Sequence, residues 1–166
     1  MIGGSLTAEE LSSQEQLKAW AKDFVGTWVG DESTLDTDVP GLGKKGDTIA
    51  VQGTIEPASG IYQITWETKI NGKPTTAGMA IVGWDASRKK VTSRFFNKHG
   101  GSGVATYTKR GKEWVTRNVT VEADGTKSTQ DAVLTVTDTQ HRYKIRNRKQ
   151  GDESLPDKEQ IWTRQK

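Results

Sequence analysis

The stretch Phe24-Val25-Gly26-Thr27-Trp28-Val29-Gly30 decides the fold of this chain. It places a Gly-x-Trp element at the start of a first strand, directly after a short helical segment. That arrangement is typical of closed antiparallel barrels. The residues before it therefore predict how the chain begins, and the residues after it predict how the barrel is built.

The segment from Thr7 to Phe24 carries the helical pattern of the chain. Thr7 as N-cap and Glu10 at the third helical position form a capping box. Apolar residues recur on one side of this segment. They are Leu11, Leu17, Trp20, Ala21 and Phe24. We predict that residues 1–25 form a lead-in helix that closes one end of a barrel; the alternative is an arm that docks elsewhere.

From Gly26 onward the hydrophobic period changes to two, and turn signals arrive about every ten residues, the spacing of a meander of short strands. Asn71-Gly72 and Asp124-Gly125 are the strongest turn signals, because tight hairpins need positive φ. Antiparallel strands with one wet face avoid exposed edges by closing on themselves. We predict an all-β fold in which residues 26–166 form a closed antiparallel up-and-down barrel of about ten strands, with one N-terminal helix.

Composition limits the other classes of structure and function. The chain has 166 residues, enough for one domain. Its 24 basic and 21 acidic residues are interspersed, which indicates solubility rather than a nucleic-acid partner. The chain has no cysteine, so disulfides and thiolate chemistry are excluded. No apolar run reaches the roughly 18 residues of a membrane span, and no signal-peptide pattern is visible. We expect a soluble protein; cytoplasmic and exported locations, and a domain upstream, stay open.

Gly26-Thr27-Trp28, together with Arg164 in the last strand, resembles the calycins. In lipocalins and their relatives, a Gly-x-Trp on the first strand packs against a basic residue from near the end of the chain, a cation over an indole face. The resemblance implies that Trp28 and Arg164 close the barrel together.

Four further stretches look like uncharacterised bacterial lipocalin-like domains, some of which follow a SnoaL-like domain. They are 81–85 (IVGWD), 93–97 (SRFFN), 100–103 (GGSG) and 155–157 (LPD). The resemblance brings no activity with it. The similar nitrobindin-like barrels hold heme through a histidine just before the last strand, and 156–159 (PDKE) has no histidine. We therefore predict no cofactor.

The segment 113–121 (EWVTRNVTV) makes the sharpest site prediction. With Val115, Val119 and Val121 taken as its inward residues, Arg117 also faces the barrel interior. A buried guanidinium needs a partner. Arg117 is therefore either an anchor for a carboxylate of the ligand or half of a buried structural pair.

The other candidate ligand-binding residues are aromatic side chains on inner strand faces and polar side chains beside them. They are Tyr62, Trp66, Phe95, Tyr107, Tyr143, Asn97, Gln130 and Arg94, whose direction is open. The alternative is a simple core, which is the commoner role of aromatic side chains on an inner strand face. His99 and His141 fall at turns or strand starts, so we expect surface positions and no metal site, which needs three or more convergent ligands.

A basic stripe is the last pattern of note. It alternates along one strand, which predicts a solvated outer wall rather than a nucleic-acid surface. Its members are Arg142, Lys144, Arg146 and Arg148.

The sequence therefore predicts a lipocalin-like barrel that holds a small molecule in its lumen. The ligand is partly apolar and, where Arg117 anchors it, anionic; catalytic residues are unknown. One alternative is an enzyme such as an isomerase or cyclase, which needs Glu67, Asp131 or His99 in the lumen. The other is an interaction module that uses the basic strand and an exposed Trp162, and a closed, dry interior and a dimer in solution would favour it. The partners we expect are a second copy of the chain or a SnoaL-like domain. We expect neither nucleic acid nor membrane as a partner.

Overall fold

A computed structural model describes residues 13–39 and 43–166. Within these ranges lie one helix and twelve strands. The elements are α1 Ser13–Phe24, β1 Gly26–Gly30, β2 Ser33–Thr34, β3 Thr48–Ala58, β4 Ile61–Ile70, β5 Lys73–Asp85, β6 Lys90–Asn97, β7 Ser102–Arg110, β8 Glu113–Val121, β9 Lys127–Val136, β10 Gln140–Gln150, β11 Glu153–Leu155 and β12 Lys158–Arg164. The predicted capping box at Thr7 and Glu10, and Leu11, lie outside the described residues. No described helix is long and apolar enough to cross a membrane.

Ten of the strands form a closed antiparallel barrel. Strands β3 to β10 each pair with the next strand along the chain, and β12 pairs with β10. Strand β1 closes the cylinder by pairing with β12 on one side and β3 on the other. The short strands β2 and β11 pair with β3 and β10. The prediction of an all-β barrel with an N-terminal helix is confirmed.

The tight hairpins follow from residues that tolerate positive φ. Asn71 and Gly72, between β4 and β5, have φ values of 48° and 75°. Ser59 and Gly60, between β3 and β4, have 50° and 87°. Two successive positive φ values match the twist of the flanking strands, so each hairpin closes in two residues.

Helix α1 packs into one end of the barrel, which we call the closed end. Trp20 and Phe24 are 0% and 2% exposed and stack with their ring centroids 4.9 Å apart. They belong to the same core cluster as Trp114, Leu134 and Val82. Burial of the apolar face of α1 therefore holds the helix in place.

Strand β8 faces the opposite way from the prediction. Trp114 is fully buried, whereas the side chain of Arg117 is 62% exposed. A shift of one residue exchanges the two faces of a strand, and burial of the large Trp114 indole outweighs burial of the smaller valines. The predicted inward set was wrong, and its members lie on the outer face: Val115, Val119 and Val121.

A bulge in β10 turns Arg148 inward. The register of β10 against β9 shifts between Arg146 and Lys149, and Asn147 has a φ of 51°. A bulge inserts one extra residue, so the side chains beyond it exchange faces. The predicted outer stripe therefore ends at Arg146, and the side chain of Arg148 is only 11% exposed.

Candidate functional site

A cavity of about 330 Å³ lies inside the barrel, and we call it the lumen. This volume falls in the range of roughly 300–1,000 Å³ that is common for small-molecule sites. Aromatic and aliphatic side chains form most of its wall. The lining residues are Trp20, Phe24, Trp28, Val51, Gly53, Ile55, Ile64, Trp66, Ala80, Ser93, Phe95, Ala105, Tyr107, Asn118, His141, Tyr143 and Trp162.

Glycines on the inner strand faces create the space. Gly53 lines the lumen, and a Cβ there would meet its nearest atom at an ordinary contact distance of 3.6 Å. A Cβ at Gly78 would lie 2.1 Å from the Trp66 ring, and one at Gly103 would lie 2.4 Å from the Phe95 ring. The absence of side chains at Gly78 and Gly103 therefore lets these two rings lie close to the barrel wall.

At the closed end, Asp23 ties the helix to the barrel. Its carboxylate accepts hydrogen bonds from Trp114 Nε1 at 2.7 Å and from Lys109 Nζ at 2.5 Å. Its backbone oxygen accepts from His141 Nε2 at 3.0 Å and from Arg164 Nη2 at 3.5 Å. The last carbonyl groups of the helix, which have no partner within it, are thus bonded to strand residues.

Trp28 and Arg164 form the pair that the resemblance implied. They are directly opposite in the β1–β12 register, and the Arg164 guanidinium lies 4.2 Å from the centre of the indole. Trp28 Nε1 donates to the Phe24 carbonyl at 2.8 Å, and Arg164 Nη1 donates to the Val25 carbonyl at 2.6 Å. The expected cation over an indole face is confirmed.

His141 lines the lumen, and its predicted surface position was wrong. It is 2% exposed and stacks on Trp28 with a ring-centroid distance of 3.6 Å. Burial lowers the pKa of His141 to about 4; the charge of Arg164 adds to this effect, and the hydrogen bond to Asp23 opposes it. The neutral ring therefore carries its hydrogen on Nε2. His99 is exposed, with Nε2 3.0 Å from the Thr75 carbonyl.

The lumen also contains polar atoms that the fold does not use. Burial raises the pKa of Tyr107 to about 12 and raises the pKa of Tyr143 as well, so both hydroxyls stay protonated at neutral pH. Trp20 Nε1 and Asn118 Oδ1 are buried and have no hydrogen-bond partner among the described residues. Both residues belong to the wall of the lumen, Trp20 in the closing helix and Asn118 on β8.

Of the predicted aromatic residues, four lie together in the lumen wall. They are Trp66, Phe95, Tyr107 and Tyr143. Tyr62 packs against Trp20, with ring centroids 5.7 Å apart, and is not part of the lining.

Both predicted arginines lie on the outer wall, so a lumen role for them was wrong. Arg94 is 59% exposed and 3.6 Å from Asp85, and Arg117 donates to Asp131 at 3.2 Å. Each follows the strand alternation that buries its apolar neighbours. Asn97 was also not a lumen residue, because its amide oxygen holds a turn by accepting from the backbone of His99 and Gly101. No lysine or arginine lines the lumen among residues 13–39 and 43–166.

Gln130 faces a second cavity of about 210 Å³ beside the lumen, which we call the vestibule. Its lining is mostly polar and consists of Asn118, Thr120, Glu122, Ser128, Thr129, Gln130, Arg148, Lys149, Gln150 and Leu155. Arg148 donates to Asp36 at 2.6 Å and to the Pro156 carbonyl at 2.8 Å. Burial alone would raise the pKa of Asp36, but hydrogen bonds and charges from Arg148 and Lys158 bring it below its usual value.

No known protein family matches this chain, and no curated protein matches it. Among solved structures, the crystal structure of Rv2717c from M. tuberculosis is similar, with a TM-score of 0.62 and 14% sequence identity. The match covers 91% of this chain and 98% of that chain. At this identity the likeness shows a shared barrel fold alone. A barrel with an interior cavity is compatible with ligand binding.

Proposed function

We propose that this protein is a lipocalin-like barrel that binds a small, largely apolar and uncharged molecule in its lumen. The observation that carries the proposal is the cavity of about 330 Å³, walled by aromatic and aliphatic side chains. Apolar surface buried in such a site contributes roughly 25 cal/mol per Å². A few polar contacts then orient the ligand.

The absence of charge from the described lining favours an uncharged ligand over the anion expected from Arg117. A charged molecule loses its hydration on entry and meets no opposite charge there. At neutral pH the lining groups that could ionise stay neutral, since the pKa of His141 is about 4 and that of Tyr107 is about 12.

The unpaired indole of Trp20 indicates one feature of the ligand. Its buried Nε1–H has no acceptor among the described residues. An unmade hydrogen bond at a buried donor costs about 1–3 kcal/mol. A carbonyl or ether oxygen on a ligand that reaches this donor would recover part of this free energy.

The enzyme alternative receives less support. Glu67 is exposed, Asp131 binds Arg117 on the outer wall, and His99 lies at a hairpin turn. None of these three lines the lumen. General acid–base catalysis works best with a pKa near the operating pH. Burial moves the pKa values of His141 and Tyr107 to about 4 and about 12, far from pH 7.

The interaction-module alternative relied on an exposed Trp162 and a filled barrel. Trp162 instead lines the lumen, and the barrel interior contains open volume. Both observations favour binding inside the barrel.

A cavity-filling substitution tests the proposal. The probe is N-phenyl-1-naphthylamine, an uncharged fluorophore that brightens in apolar surroundings. We expect saturable binding to the wild-type protein and at least about a tenfold loss of affinity in Gly53→Leu, because filled volume costs the ligand its contacts. A Cβ at Gly53 meets its nearest atoms at an ordinary contact distance of 3.6 Å, and Gly53 lines the lumen, so the backbone accepts a side chain that extends toward the cavity.

The matched control is Gln52→Leu, which adds the same side chain at the neighbouring, exposed position of β3. It should leave the affinity for the probe unchanged. Equal affinities of the two leucine variants would mean that the probe binds outside the lumen, and that result would contradict the proposal.

A further inference from the structure

The vestibule and the lumen are adjacent spaces that share wall residues. Asn118 lines both of them. A third cavity of about 300 Å³ shares Gln130 and Arg148 with the vestibule, and it shares Val51 and Trp162 with the lumen. The three cavities therefore lie side by side in the barrel.

The polar groups of the vestibule are largely unused by the fold. The side chains of Thr120, Ser128 and Gln130 make no hydrogen bond to any residue that the structure describes. Asn118 Oδ1, on the boundary with the lumen, is buried and unpaired. Partly buried polar groups in native proteins pair with protein, water or ligand, so these side chains are available to a ligand.

The charged groups of the vestibule are Arg148, Glu122 and Lys149. Lys149 is exposed, so water and salt screen its charge. The Arg148 guanidinium donates hydrogen bonds to the Asp36 carboxylate and to the Pro156 carbonyl. Glu122 supplies the one carboxyl group among the described lining residues, and burial together with the charge of Asp124 raises its pKa. An anionic head group would compete with Asp36 for Arg148, and a cationic one would meet Arg148 itself.

From this geometry we infer that the vestibule is a subsite for an uncharged head group rich in hydroxyl or amide functions. The ligand of the barrel is then an amphiphile, with an apolar body in the lumen and the polar head beside Ser128 and Gln130. This inference rests on the proposed function. A hydroxyl both donates and accepts, which matches the amide of Gln130 and the hydroxyls of Ser128 and Thr120.

Compounds with one tail and different heads test the inference. The probes are 1-octanol, octyl β-glucoside below its micelle-forming range, and octanoate, each displacing N-phenyl-1-naphthylamine from the wild-type protein. We expect octyl β-glucoside to bind roughly threefold to tenfold more tightly than 1-octanol, because each hydrogen bond contributes about 0.5–1.5 kcal/mol net. Octanoate should bind more weakly than octyl β-glucoside.

Three variants test whether the head group binds in the vestibule. Gln130→Leu should remove most of the advantage of octyl β-glucoside, measured as the ratio of its affinity to that of 1-octanol. Gln52→Leu makes the same substitution on the outer wall and should preserve the advantage. Ser128→Ala should reduce the advantage less than Gln130→Leu, because a single hydroxyl is removed.

The outcomes separate this inference from the proposed function. If the fluorophore does not bind at all, the proposed function fails and the inference fails with it. If the fluorophore binds but octyl β-glucoside is no better than 1-octanol, only the vestibule subsite is overturned. Equal losses in Gln130→Leu and Gln52→Leu, or octanoate binding as tightly as the glucoside, would also overturn it.

Discussion

The closed end of the barrel and the vestibule differ in whether their polar side chains form hydrogen bonds within the protein. At the closed end, Asp23 alone receives four hydrogen bonds, from Trp114, Lys109, His141 and Arg164. In the vestibule, the side chains of Gln130 and Ser128 bond to no described residue. The hydrogen bonds of the first region stabilise the fold, and the unpaired side chains of the second region are available to a ligand.

This difference suggests how stability and binding are divided in the molecule. Substitutions at the closed end should lower the free energy of unfolding, because they leave buried partners unpaired. Substitutions in the vestibule should change affinity with little effect on folding. The lumen lies between the two regions and contributes to both.

The largest effect on stability is expected for Arg164→Met. This change removes the cation above Trp28 and the donors to the Val25 and Asp23 carbonyls. We expect the free energy of unfolding to fall by about 3 kcal/mol, measured by urea denaturation.

Two control variants sharpen that result. Arg117→Met removes an exposed ion pair with Asp131 and should cost less than about 1 kcal/mol. Gln130→Leu in the vestibule breaks no hydrogen bond and should cost less than about 0.5 kcal/mol. Similar losses in Arg164→Met and Gln130→Leu would remove the distinction between the two regions.

A smaller effect is expected from pH at the closed end. The pKa of His141 is about 4 in the folded protein, whereas the ordinary value for histidine, which applies to the unfolded chain, is 6.5. As pH falls, the unfolded chain therefore binds the proton before the folded protein does. The contribution of the neutral His141 to the free energy of unfolding is complete above about pH 6.5 and is lost toward pH 4. We expect a loss of about 2 kcal/mol in the free energy of unfolding between pH 7 and pH 5.

Variants of the two histidines test whether His141 causes this loss in the free energy of unfolding. His141→Phe keeps an aromatic ring on Trp28 and should flatten the pH dependence in this window. His99→Gln changes an exposed ring and should leave it intact. Asp36, whose pKa is lowered, titrates below the window. A wild-type slope that survives in His141→Phe would show that other groups carry it.

The barrel itself was predictable because its signals are local. Turn residues such as Asn71-Gly72 and the period of two fix hairpins one at a time, and closure follows from the need to pair edges. The contact between Trp28 and Arg164 joins the two ends of the chain, and only a family resemblance indicated it.

The inner faces were less predictable where large and small apolar residues compete. In β8, Trp114 and the valines alternate, and the count of valines indicated the wrong face. Greater weight on the volume of Trp114 would have corrected it. The alternation of His141, Tyr143 and Ile145 would likewise have placed His141 inside.

The inward turn of Arg148 could not have been found in this way. It depends on the bulge at Asn147, which adds one residue to β10 relative to β9. Asparagine tolerates positive φ at many turns and strands without forming a bulge. The lumen volume was equally hidden, since it depends on how Trp66 and Phe95 lie against Gly78 and Gly103.

The most direct test of ligand binding in the lumen uses the indole N–H signals of the six tryptophans. Four of them line the lumen: Trp20, Trp28, Trp66 and Trp162. Trp84 and Trp114 do not. In ¹H–¹⁵N spectra recorded during titration with N-phenyl-1-naphthylamine, the signals of the four lining residues should shift, and those of Trp84 and Trp114 should stay nearly fixed. Saturable binding with shifts confined to Trp84 and Trp114, or with no indole shifts, would contradict a ligand in the lumen.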